Sequence, residues 1–326
     1  MIRWGIIGCG DVTEVKSGPG FQNANGSTLV AVMRRDADRA ADYARRHKVA
    51  KWYSDANALI ADEDVDAVSI ATPPSRHCEL ALGVAAAGKA ALVEKPMARN
   101  HDECLQMVEA FKAANVPLFV SYYRRALPKF LKVKSLIDDG AIGEVLTVSA
   151  TLRCQPGRYD RDNLPWRLRY EVSGGGLFVD LACHTLDYLD FLFGPIVEVS
   201  GHAGNQGGAY DVEDAVVMCF VHESGVQGTG AWHFNCRRTV DDITIVGTAG
   251  TISLPTFANR PIRLVRRYRT TRYRISNPRA IQQPLIQAVV DELESRGTCP
   301  STGFSAARTS WVMDQVLEPY YGKRAG

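Results

Sequence analysis

Short apolar runs separated by polar, helix-forming segments fill the first 120 residues of the chain. Ala67-Val68-Ser69-Ile70-Ala71-Thr72-Pro73-Pro74 is too short for a core helix and ends in prolines, which predicts a buried strand. Residues 79–87 have helical composition and are closed by Gly88. A second apolar run follows and ends in Leu92-Val93-Glu94-Lys95-Pro96. Strand, helix and strand in this order form a β-α-β crossover, whose parallel strands are covered on both faces and therefore do not alternate. The same pattern predicts strands at 3–7, 28–33 and 117–121 and helices at 38–47, 56–61 and 101–114. Together they predict an α/β fold with a doubly wound parallel sheet over residues 1–122. Ligands of such sheets lie beyond the carboxyl ends of the strands, so Lys95 projects into the expected crevice.

The pattern changes after residue 122. Residues 128–139 read as a helix stopped by Gly140, and strands then predominate at 145–153, 197–202, 215–222, 227–234, 242–246 and 262–268. Glu223-Ser224-Gly225 and Thr248-Ala249-Gly250 mark hairpin turns between them. A second, α+β domain over residues 123–326 with a largely antiparallel sheet is expected. The last helices, 285–294 and 305–317, carry no sign of which domain they join, and one of them can pack back on the first. Ala215-Val216-Val217-Met218-Cys219-Phe220-Val221 does not alternate, so both faces of that strand are read as apolar. A helix can cover one face. A second subunit is the simplest cover for the other, making the protein a homodimer or homotetramer through this sheet; the alternative is that the C-terminal helices fold across it.

Composition narrows the function. A chain of 326 residues supports two ordinary domains, and 38 basic against 36 acidic side chains leave a net charge of +2, so neither nucleic acid nor a membrane surface is indicated as a partner. The basic stretch Arg263-Leu264-Val265-Arg266-Arg267-Tyr268-Arg269 reads as one solvated strand face. None of the 8 cysteines forms a C-x-x-C pair. The first strand begins almost at Met1, leaving no room for a signal peptide, and no apolar run is long enough to span a bilayer. A reduced, cytoplasmic protein is expected.

Two segments carry candidate chemistry. Gly8-Cys9-Gly10-Asp11-Val12-Thr13 follows the first strand and begins as the dinucleotide fingerprint G-x-G-x-x-G, in which glycines allow a tight turn and close approach of backbone N–H groups to a pyrophosphate. Thr13 stands where the third small residue is expected. The next strand ends at Arg34-Arg35-Asp36, with Arg39 a turn later. Guanidinium groups suit a 2′-phosphate and offer no acceptor to a free ribose hydroxyl, which favours NADP; the alternative is that Asp36 supplies the acid an NAD site needs. The second segment runs from Ser173-Gly174-Gly175-Gly176 to Asp187. Asp180 and His184 lie four apart on its predicted helix and share a face, as an acid–base pair or as a buried structural pair. No metal-ligand set or nucleophile motif is visible.

Taken with Ala71-Thr72-Pro73-Pro74 and His77, Gly88-Lys89, Glu94-Lys95-Pro96, Arg125 and Pro128, Gly140 and Gly143, Trp166-Arg167, and Gly247 and Gly250, these segments resemble the Gfo/Idh/MocA family of sugar oxidoreductases. The resemblance implies an N-terminal Rossmann domain and a C-terminal domain on an open mixed sheet. It implies Lys95, Asp180 and His184 as the catalytic set, and Lys95, Arg125, Trp166, Asp180 and His184 around a sugar or polyol substrate. NADP, with NAD the alternative, is expected along Gly8, Cys9, Gly10, Asp11 and Val12, with Arg34, Arg35, Arg39, Thr72, Pro73, His77, Glu94, Lys95, Trp166 and Arg167. The implied activity is hydride transfer between nicotinamide and a secondary alcohol or carbonyl; a sensor that binds dinucleotide without turnover is the rival. A cis Lys95-Pro96 peptide is also expected.

Overall fold

In the computed structural model, which describes residues 1–322, the early apolar runs pair in parallel. In chain order they are β1 (Ile2–Ile7), α1 (Gly18–Asn23), β2 (Ser27–Met33), α2 (Ala37–His47), β3 (Lys51–Tyr53), α3 (Ala56–Ile60), β4 (Ala67–Ile70), α4 (His77–Ala86), β5 (Ala90–Val93), α5 (His101–Ala114) and β6 (Leu118–Val120). The sheet order is β3-β2-β1-β4-β5-β6 with every pairing parallel, the doubly wound arrangement expected. β4 and β5 are buried at every position, which is why their sequences show no alternation. Short polar side chains start the helices: Asp36, Asp55 and Asn100 accept the N–H of Arg39, Ala58 and Glu103.

The second sheet is built after α6 (Pro128–Asp138) by β7 (Val145–Arg153) and, beyond α7 (Tyr170–Ser173) and α8 (Leu177–Phe193), by β8 (Ile196–Gly204), β9 (Ala215–His222), β10 (Gln227–His233), β11 (Val240–Gly247), β12 (Gly250–Leu254), β13 (Ile262–Arg266) and β14 (Arg269–Tyr273). Its order is β14-β13-β12-β11-β7-β10-β9-β8; only β7 and β10 run parallel, so the sheet is mixed and largely antiparallel. The chain ends with α9 (Gln283–Leu293) and α10 (Gly303–Tyr321). No helix among the described residues is long and apolar enough to cross a membrane.

The chain divides into two units, Met1–Leu127 with Pro278–Ala307, and Pro128–Asn277 with the chain from Arg308. Residues 123–127 and 278–307 thus group with the first unit. The first unit runs on past β6 to Leu127, and α9 returns to it, where Ile286 fills the space that a side chain at Gly20 of α1 would need.

One expectation is corrected. β9 does alternate in burial: Val216, Met218 and Phe220 are enclosed, whereas Val217 is 44% exposed and Cys219 is exposed. Phe178 of α8 packs edge-on to Trp232 at 5.2 Å, and Val316 of α10 lies where a side chain at Gly201 would point, next to Met218. Both helices therefore cover the Met218 face. Across the exposed face the register aligns Ser200, Cys219, Thr229, Ser149, Thr244 and Ser253. That surface is rich in hydroxyls. The Val-Val-Met-Cys run concealed the alternation because a valine or a cysteine is equally apolar on a wet face and a dry one.

Candidate functional site

In the first unit the crevice begins at the glycine turn. Gly8 has φ +94°, and a Cβ there would meet the Ala71 backbone at 2.9 Å, so only glycine lets β1 turn against the tip of β4. Gly10 donates its N–H to the Thr13 hydroxyl at 2.9 Å, which in turn donates to the Gly10 carbonyl at 2.8 Å. Thr13 therefore closes the turn through its side chain, and a single π-helical turn, Thr13–Ser17, follows. The N–H groups of Asp11 and Val12, at exposed positions, have no protein acceptor among the described residues. Open N–H groups at the start of a helical segment, beside a turn that only glycine can make, fit a pyrophosphate. Cys9 is buried, and desolvation pushes its thiol up to about 11, so it is no nucleophile.

Arg34 reaches back to this turn, its guanidinium 3.3 Å from the Cys9 carbonyl. Arg35 is exposed, and Arg39 pairs with Asp36 at 3.3 Å. Asp36 also caps α2, so its carboxylate is engaged locally.

Farther along the same sheet edge, Thr72 is half-buried, Pro73 exposed, and Glu94 and Lys95 half-buried, with a cis Lys95-Pro96 peptide as expected. His77 is fully buried and both its ring nitrogens face backbone carbonyls: Thr72 at 2.7 Å, Pro96 at 3.1 Å and Met97 at 3.2 Å. Neither nitrogen is offered to a ligand; the ring ties the tip of β4 to the turn after β5. Burial holds its pKa below the ordinary imidazole range against the pull of those carbonyls. Glu94 accepts the Lys95 N–H at 3.2 Å and the Gln282 amide at 2.6 Å, and desolvation raises its pKa. Arg125 is 4% exposed, with Nη1 donating to the Pro300 carbonyl at 3.0 Å.

In the second unit α8 carries Asp180, half-buried, and His184, buried, on one face. Arg167 pairs with Asp180 at 3.3 Å, and its guanidinium lies 5.1 Å over the Trp166 ring. Trp166, Arg167 and Asp180 are thus brought together. Phe257 meets the His184 ring edge-on at 5.9 Å, from a loop held by Asp241, whose carboxylate accepts the N–H groups of Thr256, Phe257 and Ala258 at 2.7–2.8 Å. The far end of α8 is anchored by Tyr188, which donates to the Phe130 carbonyl at 2.9 Å, and by Asp190, which accepts from Nη2 and Nε of Arg308 at 2.7 and 2.8 Å.

Sequence reasoning missed Gln282 and Asp241. Nothing local marks Gln282, which stands 188 residues from Glu94. For Asp241 the only signal is an acid at the start of an apolar strand.

Comparison with known proteins decides the family. A model described as the oxidoreductase family, NAD-binding Rossmann fold, matches residues 2–122, and one described as the GFO/IDH/MocA C-terminal domain matches residues 130–253. An oxidoreductase of Formosa agariphila is 40% identical over 319 residues, 96% of this chain and 97% of that protein. The chain belongs to the GFO/IDH/MocA family. Among other members, inositol 2-dehydrogenase 2 of Saccharopolyspora erythraea is 30% identical over 94% of this chain and 87% of its own. A solved levoglucosan dehydrogenase, complexed with NADH and levoglucosan, superposes with a TM-score of 0.87 at 24% identity over 99% of this chain and 98% of its own, which shows the shared fold. As a GFO/IDH/MocA protein the chain is an NAD(P)-binding oxidoreductase.

Proposed function

We propose that this oxidoreductase moves hydride between a nicotinamide dinucleotide, NADP in preference to NAD, and a secondary alcohol or carbonyl carbon of a sugar, polyol or cyclic alcohol. Inositol and levoglucosan dehydrogenases among its relatives support the substrate class. The observation that carries the reading is the order β1-β4-β5, with the Gly8 turn at the end of one strand and Lys95 past the end of the next but one. A dinucleotide laid along that edge from Asp11 and Val12 extends towards Lys95.

Bound nicotinamide supplies the hydride donor or acceptor, and a proton remains to be moved by the protein. In this reading the Lys95 ammonium stabilises the charge that develops on the reacting oxygen. His184, oriented by Asp180, gives or takes the proton there, and Trp166 and Arg167 orient the reactants. Arg34, beside the Cys9 carbonyl, takes the 2′-phosphate. None of the 8 cysteines is in a disulfide, which suits a cytoplasmic location, and the exposed β9 face is proposed as the surface that joins subunits.

The test is Lys95→Ala and His184→Ala, each expected to lower turnover by about 10²-fold while dinucleotide binding survives. Undiminished turnover in both rejects the residues. Dinucleotide binding without turnover across a panel of alcohols and carbonyls favours a sensor instead.

A further inference from the structure

The second unit holds a buried carboxylate with no part in the chemistry above. Glu213, between β8 and β9, is 0% exposed. Both its oxygens lie 2.8 Å from the backbone nitrogen of Gly176, the N-cap residue just before α8. Its Oε2 also accepts a hydrogen bond from the Tyr321 hydroxyl, and that hydroxyl accepts the Glu213 backbone N–H at 3.2 Å. Glu213 and Tyr321 thereby form a closed ring of hydrogen bonds whose outer edge grips the beginning of the helix.

A helix begins with N–H groups that lack intrahelical acceptors, and a side chain at the N-cap usually supplies one. Here the orphan donor at the N-cap itself, the Gly176 N–H, is taken by Glu213 from 37 residues downstream, as a capping box takes it with a carboxylate from the first turn. The fit leaves no slack: a Cβ at Gly176 would lie 2.5 Å from the Glu213 carbonyl oxygen. Tyr321 is held in turn by an apolar cluster that includes Leu168, Val212 and Leu177, the first residue of α8.

We propose that Glu213, held by Tyr321, is a positioning residue that fixes the first turn of α8 and with it Asp180 and His184. This rests on the reading that Asp180 and His184 handle the proton. Asp180 donates its own N–H to the Gly176 carbonyl, so fraying at Gly176 displaces Asp180 from Arg167. The far end of α8 keeps Tyr188 and Asp190 as anchors, so losing the cap loosens the first turn without releasing the helix. A misplacement of about 1 Å costs up to roughly 10²-fold in rate.

The experiment compares Glu213→Ala, Glu213→Gln and Tyr321→Phe, with Asp180→Asn as the control on the acid–base reading. Glu213→Ala is expected to lower kcat by about tenfold to a hundredfold at unchanged dinucleotide Kd. Glu213→Gln, whose amide oxygen still accepts from Gly176, should recover most of that loss, and Tyr321→Phe should lose less than the alanine variant. A readout free of turnover is amide exchange at Gly176, slow in the native protein and fast in Glu213→Ala. Native kcat in a folded Glu213→Ala, or a loss that Glu213→Gln does not recover, overturns the proposal. Should Glu213→Ala fail to fold, Tyr321→Phe decides: faster Gly176 exchange with lowered kcat supports the proposal, and native exchange with native kcat overturns it. Native turnover in Asp180→Asn sinks the acid–base reading; a dead Asp180→Asn beside a native Glu213→Ala sinks the positioning role alone.

Discussion

Replacing Arg34 tests the cofactor assignment most directly. Its guanidinium is half-buried and lies against the Cys9 carbonyl of the glycine turn. Arg35 is exposed, and Arg39, 66% exposed, is paired with Asp36. Exposed pairs of that kind contribute at most about 1 kcal/mol, so Arg34 should dominate recognition of a 2′-phosphate. A hydrogen bond to a charged group is worth about 1.5–3 kcal/mol, and every 1.4 kcal/mol is about tenfold in affinity. Arg34→Ala should therefore weaken NADPH by about tenfold to a hundredfold and leave NADH nearly unchanged. Arg34→Asp adds repulsion of about 1 kcal/mol in bulk water and up to about 4 kcal/mol at a partly buried surface for charges about 4 Å apart. It also supplies an acceptor for a free 2′-hydroxyl, so the preference should narrow or reverse. Fluorescence titration of both reduced cofactors at two salt concentrations measures this, with NADPH affinity falling more steeply in salt. Equal Kd values for NADPH and NADH in the unmodified protein, or equal weakening of both in Arg34→Ala, would refute the reasoning.

Asp241→Ala strips the acceptor from three backbone N–H groups and should destabilise the protein by about 3 kcal/mol, at about 1 kcal/mol each; a urea midpoint shift worth less than about 1 kcal/mol would contradict it. Burial lowers the pKa of His77 and His222, so below about 6.5, the ordinary imidazole value, the unfolded chain binds more protons than the folded one, and stability should fall as pH drops from 7 to 5. Glu14, held at about 2 by its hydrogen bond to Arg46, adds stability that is fully present above its unfolded pKa and lost as pH falls below that pKa towards about 2. A melting temperature that holds level from pH 7 to pH 5 would count against the two histidines. For the subunit contact the informative change is Val217→Asp on the exposed face, since Met218, 6% exposed, belongs to the core. Sedimentation at micromolar concentration should show an oligomer in the native protein and a shift towards monomer in the variant; a monomeric native protein ends that idea.

What the sequence determined by itself is what depends on neighbours a few residues apart. The apolar runs at β4 and β5, the polar helices between them, and glycine turns that no other residue can make together specified the doubly wound sheet, and with it the placing of Lys95 at a strand tip. The four-residue spacing of Asp180 and His184 put them on one helix face for the same reason. Tertiary structure decided the rest. It brought Gln282 back to Glu94 across 188 residues, tied Arg125 to Pro300, set Glu213 beneath Gly176 and folded Asp241 around the loop that meets His184. It also decided which side of the β9 run faces water. Local periodicity records which face of an element is apolar. A buried carboxylate or amide, by contrast, takes whatever donor the completed fold brings within 3 Å, and strand pairing and helix packing fix that partner only once the chain has closed on itself.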